Sequence, residues 1–473
     1  MADPHLINDD LRPTTDAERT WSKWHIAALW VGMAVCIPTY MLAGGIMAGG
    51  ASLGIATLAI AIGNIVVLIP LVLNAHPGTK YGIPFPVLLR SSFGVLGANI
   101  PALMRAFVAC GWFGINTFFG GVAIYALAGV FMPESLSLPN VLPAWFGIGT
   151  GMLICFALFW AIQVAIIVRG MESIRVLETW AAPFLILIGI ALFAWAWAKS
   201  GSLDVMLGSS GAETQSTGTA LAAGINGAVA FWGTLALNIP DFARYAKSQR
   251  DQIIGQAVAL PTTMTLFSFI GAAVTNATVI IFGTVIANPI ELTAKIGGPL
   301  VALFSMFALA LATLSTNLAA NIVSPANDIS NLAPHKISFR KGAVIAACVG
   351  CVFMPWKLAT QVMNWLGAYG AVLGAVGGVM IADYYLIRKT QLAVDELYER
   401  GGRYEYMRGF NPIALCALAI GVGVNVPGML QALGFITAPS FFASLYSWGW
   451  FVAFFVAAAA HFIGTKLFAD KSV

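Results

Sequence analysis

The sequence predicts an all-α, polytopic membrane protein with twelve transmembrane helices, and three observations support this prediction. Of its 473 residues, 59% are hydrophobic and only 9% are charged, whereas a soluble domain carries roughly 25% charged residues. The mean hydropathy is +0.84. Apolar runs of about 20 residues, which suffice to cross a hydrocarbon core of about 30 Å, recur along the whole chain. The gaps between them are too short for a soluble domain.

The apolar runs set the predicted helices in chain order. These cover residues 26–50, 54–75, 98–131, 145–168, 178–198, 220–243, 255–283, 299–323, 342–356, 358–385, 412–430 and 440–464. Residues 1–24 are polar and form a predicted N-terminal tail without the features of a cleaved signal peptide, and residues 465–473 form a C-terminal tail. Residues 25–198 and 220–385 then hold five helices each, and residues 412–464 hold the last two.

The positive charges predict the orientation of the chain. With the N-terminus inside, 20 of the 24 Lys and Arg residues fall in cytoplasmic segments and three fall on the opposite side, while Arg105 lies in the third helix. The positive-inside rule therefore places both termini in the cytoplasm. The net charge of +4 follows from this topology, so we expect no nucleic-acid partner. The protein is expected to be a monomer in the lipid bilayer.

Two predicted helices contain the same interrupted pattern. The first contains WVGMAVCIP at residues 30–38 and the sixth contains WGTLALNIP at residues 232–240, with identical spacing from Trp to Pro. Proline removes a backbone donor and clashes with the preceding turn. In a membrane the freed carbonyl groups are tolerated only against protein or a water-filled cavity. Two broken helices in matching positions predict an inverted repeat with a substrate site near the midplane.

Ionisable residues at membrane depth would mark a proton pathway, and the sequence predicts almost none. Asp241, Arg244 and Asp383 are predicted at cytoplasmic helix ends. Glu178 is predicted to open the fifth helix, and Arg105 is close enough to the inner end for its long side chain to reach the interface. No histidine is predicted at membrane depth. We therefore expect neutral groups to carry the chemistry.

The eighth predicted helix ends in an unusually polar segment, LATLSTNLAANIVSP, at residues 311–325. At 100° per residue, Ala312, Ser315 and Thr316 share one helix face. Hydroxyl and carbonyl oxygens suit Na⁺, so this face is a candidate cation site against the unwound part of the first helix. The alternative is that both hydroxyls bond back to carbonyl groups of the preceding turn.

Two further features indicate a site for a flat polar ligand. Asn317 and Asn321 lie four residues apart on a face turned away from the hydroxyls, and an unpaired amide in hydrocarbon is costly. Helix packing would explain Asn317, whereas Asn321 is an equally good candidate for a ligand contact. In the third helix, Trp112 and Asn116 could stack on a ring and bond to its rim, with Trp232 on the opposite face. Packing is the alternative for both tryptophans.

Six segments resemble the nucleobase:cation symporter-1 family, especially its bacterial branch of allantoin, hydantoin and uracil permeases. They are WVGMAVCIPTYMLAGG, NAHPGTKYGIPFPVLLRSSFG, RAFVACGWFGINTFFGG, NIPDFARYAKSQRDQIIGQ, LATLSTNLAANIVSPAND and GVMIADYYLIRK. The resemblance extends from about residue 21 to residue 408. It implies the five-plus-five inverted repeat of sodium-coupled amino-acid transporters with two additional C-terminal helices, in the inner membrane of a bacterial cell.

The resemblance also implies positions for the ligands. The Na⁺ ligands would be the backbone carbonyls of Gly32, Val35 and Ala312 and the hydroxyls of Ser315 and Thr316. The stacking and polar contacts to the substrate would come from Trp112, Trp232, Asn116 and Asn321. Three positions depart from the hydantoin-transporting pattern: Cys36 and Asn116 stand where it has glutamine, and Phe231 stands where it has glycine.

The leading prediction is a secondary active importer of uracil, allantoin or a hydantoin, coupled to Na⁺ or H⁺ and without any other cofactor. A cytosine or purine permease of the same family is the alternative. A membrane-embedded enzyme would need a nucleophile, a metal cluster or paired carboxylates at membrane depth, and none is visible. A passive channel would show a filter motif or charged rings.

Overall fold

The computed structural model describes residues 3–132, 138–208 and 216–468, and its regular elements in these ranges are helices. The first half of the chain forms α1 (Lys23–Ala34), α2 (Ile37–Ala48), α3 (Leu53–Tyr81), α4 (Phe85–Phe93), α5 (Asn99–Phe131), α6 (Thr150–Ile167), α7 (Met171–Ser200) and α8 (Leu203–Leu207). The next part forms α9 (Thr217–Phe231), α10 (Leu235–Asn238), α11 (Pro240–Ala243), α12 (Gln249–Phe282), α13 (Pro289–Ile296), α14 (Pro299–Asn321) and α15 (Val323–Leu332). The last part forms α16 (Phe339–Val352), α17 (Pro355–Leu358), α18 (Val362–Ile381), α19 (Pro412–Gly423), α20 (Val426–Ala432), α21 (Ser440–Tyr446) and α22 (Gly449–Phe468).

The described ranges contain nine helices that are long and apolar enough to cross a membrane, and two bent pairs raise this number to eleven. The all-helical, multi-pass prediction is confirmed. The ninth predicted helix corresponds to α16, which has 14 residues and extends only about 21 Å at 1.5 Å per residue. Of the predicted C-terminal tail, residues 465–468 belong to α22 and residues 469–473 lie outside the described ranges.

Both predicted broken helices are present, and each break lies inside its matching segment. α1 and α2 meet at an angle of 58°, and α9 meets Leu235–Ala243 at 47°. The first break, at residues 35–36, lies just before Pro38. The second, at residues 232–234, lies at the start of the matching segment and precedes Pro240 by six to eight residues. Pro240 lies within the helical stretch Leu235–Ala243, and the Ala236 carbonyl, for which it offers no backbone N–H, accepts the Asn74 amide at 2.6 Å.

The two breaks adjoin each other in the core. Trp30 and Trp232, which begin the two matching segments, are both fully buried, and their rings make an edge contact with centroids 5.1 Å apart. Around them α1 packs on α12, α3 packs on α9 and α12, and α5 packs on α14. The α12–α2 contact is close enough that a Cβ on Gly271 would meet the Tyr40 backbone. Helices from both halves therefore enclose the unwound segments.

The predicted N-terminal tail is part of the folded body from Asp3 onward. The Asn8 amide donates to Ser330 Oγ at 2.9 Å, and the Trp21 amide donates to the Tyr245 carbonyl at 2.9 Å. Leu11 is fully buried. This segment therefore ties together the ends of α11 and α15, which lie far apart in the sequence.

Two ionisable side chains lie deeper than the sequence predicted. Arg105 does not reach an interface: it is fully buried on α5 and donates to the Ala320 carbonyl at 3.1 Å. His461 is also buried, with its Nε2 atom 3.3 Å from Asp383 Oδ1. Asp383 pairs in addition with Arg388 at 2.6 Å, so this carboxylate joins the end of α18 to α22.

Candidate substrate and cation sites

A small cavity, with about 30 Å³ of free volume, lies where the two broken spans meet. Small-molecule sites measure roughly 300–1,000 Å³, so a ring-sized ligand requires the lining side chains to move. The cavity is bordered by α2, α5, α9, α10 and α14 and by the unwound residues between them. It brings together all six residues predicted to contact substrate: Cys36, Trp112, Asn116, Phe231, Trp232 and Asn321.

Trp232 is held in one orientation beside the cavity. Its indole Nε1–H donates to Asn64 Oδ1 at 2.8 Å, and the Asn64 Nδ2–H donates to the Ile60 carbonyl at 2.8 Å. The edge contact with Trp30 fixes the other side of the ring. A buried indole N–H with a satisfied partner has little reason to rotate. Sequence analysis did not identify Asn64, because one asparagine in an apolar helix has no distinguishing pattern.

Trp112 and Phe231 form the opposite wall. The Trp112 indole donates to the Tyr369 hydroxyl at 3.2 Å, a partner that the sequence also did not indicate. The Phe231 ring contacts both indoles, with centroid distances of 5.9 Å to Trp112 and 5.1 Å to Trp232. A ligand stacked between the two tryptophans would therefore require the Phe231 side chain to turn aside.

The amide side chains of Asn116 and Asn321, which border the cavity, differ in their hydrogen bonding. Asn116 is 2% exposed, and its Oδ1 atom has no hydrogen-bond partner among the described residues. Such a buried acceptor is unfavourable unless a ligand or water donates to it. Asn321 donates to Asn317 Oδ1 at 2.9 Å, and Asn317 in turn donates to Gln163 Oε1 at 2.6 Å and to the Phe113 carbonyl at 3.0 Å. Asn317 therefore joins helices together, as the packing alternative proposed.

The polar end of α14 meets the break in the first span. α1 ends at Ala34, and the Cys36 amide donates to the Ala34 carbonyl at 3.1 Å rather than to Gly32. The Gly32 carbonyl instead accepts the Thr316 hydroxyl at 2.9 Å. Thr316 also borders the cavity, as does Asn321. The hydroxyl and the amide thus have different partners, as expected from their helix faces, but both border the same cavity.

The remaining predicted cation ligands lie close to this contact. Val35 occupies the break itself, with φ −84° and ψ 83°, so its carbonyl group is no longer aligned with the helix axis. Ala312 is buried one turn before Ser315 on α14. Neither hydroxyl bonds back to the preceding turn of its own helix: Thr316 reaches α1, and Ser315 donates to Glu178 Oε2 on α7 at 2.7 Å.

Glu178 is the main residue that sequence reasoning misplaced. It does not open its helix, because α7 begins at Met171 after Gly170 with φ +91°. Glu178 is the eighth residue, about 10 Å along the helix axis at 1.5 Å per residue, and it is 2% exposed. A usable signal was available: Ile174, four residues earlier, is apolar and fully buried, and residues four apart share a helix face.

The described ranges contain no group of three or more His, Cys, Asp or Glu residues that could hold a metal ion. The oxygen atoms at the break belong to the Gly32 carbonyl, to the Ser315 and Thr316 hydroxyls and to the Glu178 carboxyl group. Such hard oxygen ligands suit alkali cations better than transition metals.

Comparisons with known proteins agree on one family. The family model described as permease for cytosine/purines, uracil, thiamine and allantoin matches residues 13–453. The chain is 46% identical over 469 residues to a purine-uracil permease of Arabidopsis thaliana, covering 98% of this chain and 78% of that protein. It is 40% identical over 461 residues to the allantoin permease of Bacillus subtilis, covering 94% and 90%.

A solved structure from the same family matches over nearly the full length. Mhp1, a nucleobase-cation-symport-1 family transporter in a closed conformation with bromovinylhydantoin bound, has a TM-score of 0.78 and 26% identity to this chain. The match covers 98% of this chain and 97% of Mhp1. The helical architecture described above is therefore that of a solved transporter.

Proposed function

Since the chain belongs to the family of permeases for cytosine/purines, uracil, thiamine and allantoin, we propose that it imports a planar nucleobase-like heterocycle by secondary active transport. Its relatives are permeases rather than enzymes. The proposed substrates are uracil, allantoin or a hydantoin, and the proposed driving force is a gradient of Na⁺ or H⁺.

The observation that carries this proposal is the cavity at the two breaks. It combines two indole rings, whose N–H groups are already satisfied within the protein, with an Asn116 Oδ1 atom that has no partner among the described residues. Uracil, allantoin and hydantoin all present N–H donors at the edge of a flat ring. Stacking on the aromatic side chains and an N–H bond to Asn116 would satisfy both features.

The proposed coupling site lies between α1 and α14. The ligands would be the carbonyls of Gly32, Val35 and Ala312 and the hydroxyls of Ser315 and Thr316. The Gly32 carbonyl lacks its usual helical donor, and Thr316 already reaches it. A cation bound here would stabilise the approach of α14 to α1. Because Thr316 and Asn321 border the substrate cavity, ion binding would raise substrate affinity, and the converse follows by linkage.

The proposal includes the setting of the protein. Both termini would lie in the cytoplasm, because 20 of 24 Lys and Arg residues fall in the segments on that side. The membrane would be the inner membrane of a bacterial cell, and the transport unit would be a monomer. Nucleic acid would have no role, since the positive charges are spread over many short loops.

A second candidate substrate class is cytosine or a purine. The 46% identity to a purine-uracil permease favours it, as does Asn116, whose shorter side chain leaves more room at the ring edge than glutamine would. Both candidates use the same cavity and the same transport cycle, so a single set of assays separates them.

Uptake into proteoliposomes tests the proposal. Purified protein would be reconstituted, and the uptake of radiolabelled uracil, allantoin, hydantoin, cytosine and adenine would be measured under an inward Na⁺ gradient, an inward H⁺ gradient or no gradient. We expect concentrative uptake of at least one of these heterocycles with one of the gradients. If none of them accumulates, or if uptake is only downhill under every condition, the proposal is wrong.

A further inference from the structure

We propose that Glu178 is an anionic ligand of the coupling cation, so that the site contains a carboxylate as well as the neutral oxygens of α1 and α14. This inference rests on the proposed function, and in particular on Na⁺ as the coupling ion. It assigns a direct role in ion binding to α7, which lies outside the two helices that otherwise form the site.

The first observation is the position of the Glu178 carboxyl group. Glu178 Oε2 accepts the Ser315 hydroxyl at 2.7 Å. The same group lies against Gly32: a Cβ there would overlap Oε2, and it would lie 2.8 Å from Glu178 Cδ and 2.7 Å from Ser315 Oγ. The carboxyl group therefore occupies the notch where α1, α7 and α14 meet. The next residue of α14, Thr316, bonds to the carbonyl of the same Gly32 at 2.9 Å.

The second observation is the lack of a counter-charge. Glu178 Oε1 is buried without a hydrogen-bond partner, and no ion pair involves Glu178 within the described ranges. Arg175, one turn away on α7, has other partners: it pairs with Glu172 and bonds to His25 Nε2 at 3.1 Å. A buried carboxylate without a partner is strongly unfavourable. A bound monovalent cation in the notch would supply the missing positive charge.

The oxygen atoms in the notch fit such a cation. Glu178 adds one free carboxylate oxygen to two hydroxyl groups and to the Gly32 carbonyl, whose helical donor is lost at the break. A hard cation prefers this kind of ligand set. With Na⁺ bound, the charges of ion and carboxylate cancel. Without it, the carboxyl group must take up a proton or remain an uncompensated charge, so cation occupancy would control how closely α7 packs against α1 and α14.

Direct cation binding in the absence of transport provides the test. Thermal unfolding of the full chain, purified in detergent, would be followed while NaCl replaces choline chloride at constant ionic strength. Binding to the native state raises the unfolding temperature, and the stabilisation grows with the logarithm of one plus the ratio of the Na⁺ concentration to Kd. Three proteins are compared: wild type, Glu178→Gln and Glu172→Gln. The first substitution keeps the shape of the side chain and removes its charge. The second makes the same chemical change on the exposed, Arg175-paired glutamate of α7.

We expect NaCl to stabilise wild type and Glu172→Gln over the same concentration range. For Glu178→Gln, the NaCl concentration that gives a fixed rise in unfolding temperature should increase at least about tenfold, because the charged ligand of the proposed set has been removed. An unchanged NaCl response of Glu178→Gln would overturn the proposal. So would a wild type whose stability does not respond to NaCl.

A measurement on the wild type covers the case in which Glu178→Gln does not fold. A hydrophobic carbodiimide would be applied with NaCl or with choline chloride, and modification of each carboxyl group would be located by peptide mass spectrometry. We expect NaCl to slow modification of Glu178 and to leave that of Glu172 unchanged. Equal modification of Glu178 in both salts would refute the assignment.

A parallel arm separates this inference from the proposed function. Uracil, allantoin and hydantoin would be added to wild type in choline chloride and in NaCl. If a heterocycle stabilises the protein but NaCl does not, the assignment of Glu178 is wrong and the proposed transport function stands. In the opposite case, NaCl stabilises the wild type, its effect on Glu178→Gln is weaker, and no heterocycle stabilises the protein. The cation site then stands and the proposed substrates are wrong.

Discussion

Substitution of Gly32 by alanine should weaken the response of transport to Na⁺ while leaving the protein folded. Gly32 lies on α1 where the Glu178 carboxyl group and the Ser315 hydroxyl meet the helix backbone, and a Cβ there would lie 2.7 Å from Ser315 Oγ. Contacts this close cannot be accommodated unless a side chain moves. The flexible Glu178 side chain would have to turn away, which would break its 2.7 Å bond with Ser315.

The size of the effect follows from two opposing contributions. Alanine is favoured over glycine inside a helix by about 1 kcal/mol. Loss of the hydrogen bond to the charged Glu178 carboxylate costs about 1.5–3 kcal/mol. The folded state should therefore lose at most about 2 kcal/mol, which most proteins tolerate. The ion site would lose the full bond, so the Na⁺ concentration for half-maximal uptake should rise by about 10- to 150-fold.

The matched control is Gly44→Ala on α2, the second half of the same broken span. A Cβ at Gly44 meets nothing within 4 Å, so this variant gains helix preference without disturbing a neighbour. Uptake by proteoliposomes would be measured over a series of Na⁺ concentrations for both variants and the wild type. If Gly32→Ala shows the same Na⁺ dependence as Gly44→Ala, the Glu178 carboxyl group does not rest against α1, and the reasoning fails.

Three further substitutions test the cavity and the cation face. Combined Ser315→Ala and Thr316→Ala removes both hydroxyls that reach α7 and α1, so uptake should lose its response to the ion gradient; persistence of that response would exclude this face as the coupling site. Asn116→Gln lengthens the amide with the unpaired Oδ1 atom, and competition by unlabelled bases should then change in rank order rather than uniformly. Phe231→Gly removes the ring that contacts both indoles, so hydantoins with bulky 5-substituents should compete better than with wild type, while unsubstituted uracil should not.

Composition and periodicity predicted the fold well, because membrane spans are defined by length and hydropathy. They predicted helix interruptions less well. Pro38 and Pro240 pointed to the correct two spans, yet each proline lies at the start of a helix, α2 or α11, rather than at the bend. The second bend falls at residues 232–234. In these two spans the unwound segment precedes the proline by a distance that packing decides.

The residues that line the cavity could be predicted from the sequence, but their arrangement in space could not. The aromatic and amide residues that line it are unusual in apolar helices, which makes them visible in the sequence. The partners that orient them are Asn64 and Tyr369, on α3 and α18. Helices buried on most sides have no clear polar face to indicate their rotation. Which asparagine meets an indole is therefore fixed only by the packed structure.

Glu178 shows why a charge in an apolar sequence has two opposite interpretations. A hydropathy scan places helix ends at charges, so it began the fifth helix at Glu178 and assigned this residue to the interface. The neighbours support the other interpretation: Ile174, Ala181 and Leu185 are buried on the same stripe of α7 as the carboxylate. An ionisable residue on a buried stripe is a functional candidate by default. Here that stripe faces Ser315, so the helix that hydropathy shortened is the one that would give the proposed cation site its charge.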